Sequence, residues 1–247
     1  MAVDLNTKNM NNPESFTNLY RILLKNKNDF HPVIKLGETD NRFYPFDFSR
    51  ESSHLPGKEQ LADTTSFSEW VNDTLAAHAA QYGIGGYAEA RVIYRRSALF
   101  ETGEEARSLH LGIDIWGPAG TPVYAPLGGM VHSFAYNNAF GDYGATIILL
   151  HQLETISFYT LYGHLSLADL SKVQEGGYIS RGQIVGHIGP AAENGDWPPH
   201  LHFQVIEDIE LKEGDYPGVC RPSDAAFYLK NCPNPAPLLG FEPHFCS

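Results

Sequence analysis

The sequence is poor in several features that would place it in large classes of proteins. It has only three cysteines in 247 residues, Cys220, Cys232 and Cys246, all within the final stretch. So sparse and odd a set excludes a disulfide framework and favours reduced thiols, with a Cys220–Cys232 bridge left open for an exported chain. Basic side chains are also scarce: 17 Lys and Arg stand against 29 Asp and Glu, a net charge of -12. Non-specific nucleic-acid binding rests on neutralising phosphates with Lys and Arg, so that class is excluded, as is adhesion to anionic polymers by charge alone. No apolar run approaches 18 residues, which excludes a membrane-spanning helix. No repeat of solenoid length occurs. The first ten residues lack the basic and then apolar pattern of a secretory leader. The expected compartment is therefore the cytoplasm, or the periplasm or exterior if a leader has been removed.

What is present describes a globular, mainly β chain. The hydrophobic fraction of 43% is enough for a substantial core. Residues 1 to about 15 are polar and Asn-rich. Ser15 to Asn26 carries apolar residues at Phe16, Leu19, Ile22, Leu23 and Leu24, a short amphipathic helix with Ser15 as its expected cap. A second helix is expected from Ser66 to about Tyr82. Between them the aromatic run Phe43-Tyr44-Pro45-Phe46-Asp47-Phe48 either packs the N-terminal part onto the rest or helps cover a cleft. From Tyr87 onward short strands alternate with Gly and Pro turns. They are expected at 88–94, 111–115, 122–125, 129–136, 146–151, 156–162, 178–179, 184–188 and 201–206, a pattern of antiparallel sandwich or barrel. The resulting division is an N-terminal extension at 1–86, a β domain at 87–230 and a Pro-rich tail at 231–247, extended on the surface or disordered.

The chemistry concentrates in three short segments. His110-Leu111-Gly112-Ile113-Asp114 and His200-Leu201-His202 bring two imidazoles and a carboxylate toward one another, an established ligand set for a zinc ion whose fourth position is left to water. Side chains alternate faces along a strand, so His200 and His202 share a face, about 6.6–6.8 Å apart. His110 and Asp114 also share one, but about 13 Å apart when fully extended, too far for joint coordination. The strand must bend, and Gly112 is the residue between them that tolerates bending or close approach. A further histidine, His164, follows the apolar run Ile156 to Tyr162 in Tyr162-Gly163-His164-Leu165. Alone, any of these reads as an ordinary hydrogen-bonded histidine. Nothing supplies a matching ligand set near His31, His54, His78, His132, His151, His187 or His244.

The ordered set, His-x-Gly-x-Asp, then Tyr-Gly-His-Leu, then His-x-His, resembles the lysostaphin-like zinc endopeptidases that cut peptide stems and cross-bridges of bacterial peptidoglycan. The likeness covers about residues 107–206. It implies one Zn²⁺ per chain held by His110, Asp114 and His202, with His164 and His200 as catalytic histidines that do not bind the metal. It also implies a peptide or muropeptide substrate and hydrolysis by a metal-activated water. No His-Glu-x-x-His sequence is present, so the glutamate base of helical zinc proteases has no counterpart and a histidine takes that task. The chain departs from the family pattern in having Trp197-Pro198-Pro199 before the His-x-His pair and Gln204 where an acidic residue is usual, which removes a carboxylate from the surroundings of a histidine.

Tyr143, Tyr162, Asn194, Asp196 and Trp197 are candidates to line a peptide cleft, each equally readable as packing or turn chemistry. Arg91 and Arg107 are candidates to engage a peptide carboxylate, against a structural ion pair. Three alternatives compete with a wall endopeptidase: a zinc peptidase for non-wall peptides, a metal-free binding or activator module of the same fold, and a phosphocarrier with a related sheet.

Overall fold

The computed structural model describes residues 17–37, 43–101 and 105–242. Its centre is one eight-stranded sheet. The strands are β1 (Phe43–Phe46), β2 (Tyr82–Gly85), β4 (Ile113–Trp116), β6 (Gly129–Asn137), β7 (Gly144–Leu153), β8 (Ile156–Leu165), β9 (Tyr178–Ile179) and β11 (His200–Ile206). Their spatial order is β1-β2-β4-β11-β8-β7-β6-β9. Only β1 and β2 run parallel; the other neighbours are antiparallel. Two small sheets complete the β structure, pairing β3 (Leu109–His110) with β12 (Val219–Cys220) and β5 (Pro122–Tyr124) with β10 (Ile184–His187). The mainly β expectation holds, and eight of the nine expected strands lie within a few residues of their places. The ninth, 88–94, is not a strand: isolated bridges at Ala90 and Arg91 lead into a 3-10 turn at Ile93–Arg96.

Five short helices flank the sheets: α1 (Asn18–Lys25), α2 (Lys58–Ala62), α3 (Thr64–Ala77), α4 (Leu167–Leu170) and α5 (Ala225–Asn231). The expected cap of α1, Ser15, lies outside the described residues; Thr17 caps the helix, its Oγ1 accepting from the Tyr20 amide at 3.2 Å. Helix α3 begins where Asp63 accepts from the Ser66 amide at 2.8 Å and ends five residues before the expected limit. Ala79 there takes a φ of 50°, outside the helical region, and Tyr82 already belongs to β2. Strand β2 escapes sequence reading because it is short and half glycine. A Cβ on Gly83 would lie 2.2 Å from the Phe46 ring, so glycine is what lets β1 and β2 close on each other.

The N-terminal stretch is thus part of the same sheet rather than an appendage. Leu19 and Leu23 of α1, four residues apart on one face, enter the main core with Ile113, Ile147, Tyr162 and Phe203. Phe46 and Phe48 join Phe67 of α3 and Trp116 of β4 in a second core. The Phe48 and Phe67 rings stand 5.3 and 5.9 Å from that of Trp116, so the aromatic run packs against the back of the site. The surface-tail expectation for 231–247 is corrected for its described part. Leu238 and Leu239 are fully buried in the main core, because a 3-10 turn at Ala236–Leu238 returns the chain to it. Among the described residues no helix is long and apolar enough to cross a membrane.

One buried histidine belongs to the scaffold. His151 on β7 donates from Nδ1 to the Gly128 carbonyl (3.0 Å), leaving Nε2 to accept from the Thr160 hydroxyl (2.6 Å). Burial pushes its pKa down to about 4. The unfolded chain, with an ordinary histidine near 6.5, takes up this proton first, so stability present above about pH 6.5 is lost as pH falls toward 4. In denaturant titrations between pH 6.5 and 4.5, His151→Gln is expected to lose about 1.4 kcal/mol less per pH unit than the parent chain. An unchanged slope would contradict a neutral buried ring.

Candidate metal centre

His110, Asp114 and His202 converge because of two local devices. In the β4–β11 ladder Asp114 stands directly opposite His202, as Trp116 stands opposite His200. Directly opposed residues on neighbouring strands bring their Cβ atoms to about 5 Å. His110 cannot reach them from a straight strand, and the chain does break at Leu111–Gly112, ending β3 and starting β4. Gly112 serves this by close approach: a Cβ there would lie 2.6 Å from His202 Cε1 and 2.8 Å from the Phe203 carbonyl. The result is a triangle of donor atoms. His110 Nε2 to His202 Nδ1 is 3.0 Å, His202 Nδ1 to Asp114 Oδ1 is 3.0 Å and His110 Nε2 to Asp114 Oδ1 is 3.2 Å. All three residues are buried.

The remaining polar atoms of these side chains are already engaged, which fixes which atom each can offer. His110 donates from Nδ1 to the Gly86 carbonyl at 3.0 Å. His202 donates from Nε2 to Gln204 Oε1 at 2.9 Å, and Gln204 is itself held by donating to the Pro217 carbonyl (3.1 Å) and to Cys232 Sγ (3.2 Å). The neutral amide at 204 therefore fills the place that the missing carboxylate left open. Asp114 Oδ2 accepts from Arg91 Nη1. Burial opposes ionisation of Asp114, but the adjacent His110 and the Arg91 guanidinium outweigh it and hold the carboxyl well below its usual range. Burial, reinforced by Arg91, pushes His110 down to about 4, so its ring is neutral near pH 7. Two imidazoles and a carboxylate, with donor atoms 3.0–3.2 Å apart, fit the tetrahedral set in which ligands at about 2.0–2.1 Å stand roughly 3.3 Å from one another.

His164 and His200 lie beside this triangle with their own tautomers set. His164 donates from Nδ1 to the Asn194 carbonyl at 2.7 Å, and His200 from Nδ1 to the Pro198 carbonyl at 2.8 Å. Each therefore keeps Nε2 as its free nitrogen. Their ring centroids are 4.1 Å apart, and the Trp116 indole stacks on His200 at 4.1 Å. Burial, then the neighbouring His200 and His202, hold His164 well below the ordinary histidine value; burial takes His200 down to about 4. His164 has a φ of 61°, a left-handed conformation that costs a non-glycine residue of order 1 kcal/mol or more. The turn of β8 at Gly163–His164 is thus a strained one that aims the ring at the cleft.

Of the residues expected to line a cleft, the structure brings Tyr143 and Trp197 to it, together with Tyr94, Phe100, Asp142, Asp215 and Tyr216. The Tyr143 hydroxyl approaches His202 Nε2 at 3.4 Å. Four expectations need correction. Asp196 is exposed outside the cleft, its carbonyl accepting from the Thr64 hydroxyl at 2.9 Å. Tyr162 is fully buried in the main core, its hydroxyl 3.2 Å from Thr160 Oγ1, because its register on β8 faces it inward. Asn194 is also fully buried; its carbonyl orients His164, and its side-chain amide binds Gly189 and Trp197 backbone. Arg91 is committed to Asp114, Glu89 (2.6 Å), Tyr94 and the Gly86 carbonyl rather than to a ligand. Arg107 does line the cleft, donating to the Leu99 carbonyl. No described residue before Arg91 lines it, so the described part of the extension buttresses the site and does not cover it. Sequence reading missed Gly86, Tyr94 and Trp116; only the pairing of Trp116 with His200 across two strands reveals its role, and no local motif marks the others.

Comparison with known proteins agrees with this geometry. Residues 108–213 match the model of peptidase family M23. The "DD-carboxypeptidase/endopeptidase Mpg" of Neisseria meningitidis serogroup B is 33% identical over 97 residues, which cover 39% of this chain and 20% of the relative. The "L-Ala--D-Glu endopeptidase" of Bacillus subtilis is 28% identical over 107 residues, covering 41% of this chain and 31% of the relative. The chain thus spans between a fifth and a third of the length of these curated relatives. Among solved structures, the catalytic domain of the antimicrobial peptidase lysostaphin from Staphylococcus simulans aligns with a TM-score of 0.39 at 22% identity, covering 65% of this chain and 96% of that one. The segment 108–213, which carries the His-Asp-His triangle and both flanking histidines, is thus the part of the chain that is similar to peptidase family M23.

Proposed function

We propose that the protein is a zinc-dependent endopeptidase that hydrolyses peptide bonds in peptidoglycan stems or cross-bridges. The observation that carries this reading is the donor triangle, three atoms 3.0–3.2 Å apart whose partner atoms are each occupied elsewhere. His110 Nε2, Asp114 Oδ1 and His202 Nδ1 would hold the ion. When bound, zinc supplies Lewis acidity that makes water a competent nucleophile near neutral pH and polarises a carbonyl. The residues of the chain do the rest. His164 and His200 are neutral near pH 7 and keep Nε2 unprotonated, so either can accept the proton of the attacking water and pass it to the leaving amine. Tyr143, Tyr94, Phe100 and Trp197 give the peptide apolar walls. The substrate class rests on the names of the relatives above and on the ordered motifs.

Metal analysis and a digest of a defined muropeptide panel, with ordinary peptides alongside, test the reading together. The parent chain is expected to hold one zinc and release muropeptide fragments. Asp114→Ala is expected to lose the metal, with a loss of affinity exceeding the roughly 10–100-fold typical of an outer-shell change. His200→Ala is expected to keep the metal while cleavage falls about 10²–10⁴-fold. Cleavage of ordinary peptides alone would move the substrate away from the wall; zinc-free protein without cleavage would leave a binding module.

Gly112 gives an independent check on the metal reading. In Gly112→Ala the new methyl meets the His202 ring and the Phe203 carbonyl, so the ring must move out of the triangle. Competition with a chromophoric chelator is expected to show weaker zinc binding than in the parent chain. Equal affinity would mean that His202 does not hold the ion.

A further inference from the structure

The side chain that controls the triangle is not one of its members. We infer that Arg91 and Glu89 form a positioning pair that makes Asp114 a one-oxygen ligand, an inference that rests on the metal reading above.

Arg91 is fully buried and uses each of its three nitrogens: Nη1 donates to Asp114 Oδ2 and, at 3.3 Å, to the Tyr94 hydroxyl; Nε donates to Glu89 Oε2 at 2.6 Å; Nη2 donates to the Gly86 carbonyl at 3.1 Å. The Gly86 carbonyl also accepts from His110 Nδ1 at 3.0 Å. One planar guanidinium thereby sets the orientation of two of the three expected ligands, Asp114 directly and His110 through a shared acceptor. Glu89 is anchored in turn, its Oε1 accepting from the Phe48 amide at 2.9 Å.

Two physical consequences follow. A carboxylate with both oxygens free can chelate a cation through both and use up a coordination position. With Oδ2 committed to Arg91, only Oδ1 faces the histidine nitrogens, 3.0 and 3.2 Å away, and the remaining position stays open to substrate and solvent. A lone buried guanidinium beside the ligand would also repel a dication. Glu89 cancels that charge, so the pair contributes orientation without net repulsion. Lysine cannot replace arginine here, because a single ammonium lacks the fork that spans Asp114, Glu89 and Gly86.

The test uses Arg91→Lys, which preserves the buried charge balance, and the double variant Arg91→Met/Glu89→Gln, which removes both charges together so that neither is left unpaired. Zinc affinity is measured by chelator competition, and coordination by the visible spectrum of the cobalt(II)-loaded protein, whose bands weaken as coordination rises from four to five. Both variants are expected to bind zinc about 10–100-fold more weakly and to show the weaker cobalt bands. Thermal unfolding of the metal-free proteins separates this from a loss of fold, since a merely structural role would lower the melting temperature and leave the cobalt spectrum of the folded fraction unchanged. Parent-like affinity and spectrum in a folded variant overturn the pairing while leaving the metal reading intact. A parent chain that takes up neither zinc nor cobalt overturns both.

Discussion

In the antiparallel ladder between β4 and β11, Asp114 faces His202, and the rest of the site follows from that register. A slip of β11 by one residue would turn His202 to the opposite face and leave no oxygen near its imidazole. The same pairing sets Trp116 across from His200, which places a flat indole under the ring that would handle protons. The aromatic run of the N-terminal stretch and helix α3 then close over the far side of Trp116. A segment of the chain remote from the motifs therefore supports the site through packing.

Once the register is set, hydrogen bonds to the distal atoms decide what each group can do. Four histidines donate one ring N–H to a carbonyl or an amide oxygen, Gly86, Asn194, Pro198 and Gln204 being the acceptors, and each so turns its other ring nitrogen toward the site. Three of these acceptors lie within residues 194–204, and Gly86 comes from beside β2. Burial keeps His110, His164 and His200 neutral, which suits the first for ligation and the other two for accepting protons. The outer partners thus set the orientation of every ring in the cluster.

The sequence made the centre legible and left its frame obscure. His110, Asp114, His164, His200 and His202 stand in short motifs whose period-two spacing can be read directly, and the need for a bend at Gly112 follows from strand dimensions. Residues whose roles depend on distant pairing could not be read this way. Arg91 looked like a candidate for a ligand carboxylate because nothing local shows that Asp114 lies against it. Tyr162 is two residues from His164 and would share its face in a regular strand, yet the left-handed φ of 61° at His164 breaks that alternation and leaves Tyr162 in the core. Strand β2 is not marked in the sequence because two glycines in four residues carry no strand preference, and Leu238 and Leu239 are hidden by the prolines around them. Local spacing marks the clustered side chains; register and burial identify their supports.

X-ray absorption at the zinc edge of the metal-loaded protein tests the central claim most directly, since it reads the atoms around the ion without reference to activity. The account predicts low-atomic-number scatterers at about 2.0–2.1 Å with the outer-shell pattern of two imidazoles and no sulfur. A shell of oxygen alone, a single imidazole, or a sulfur contribution at about 2.3 Å would contradict it.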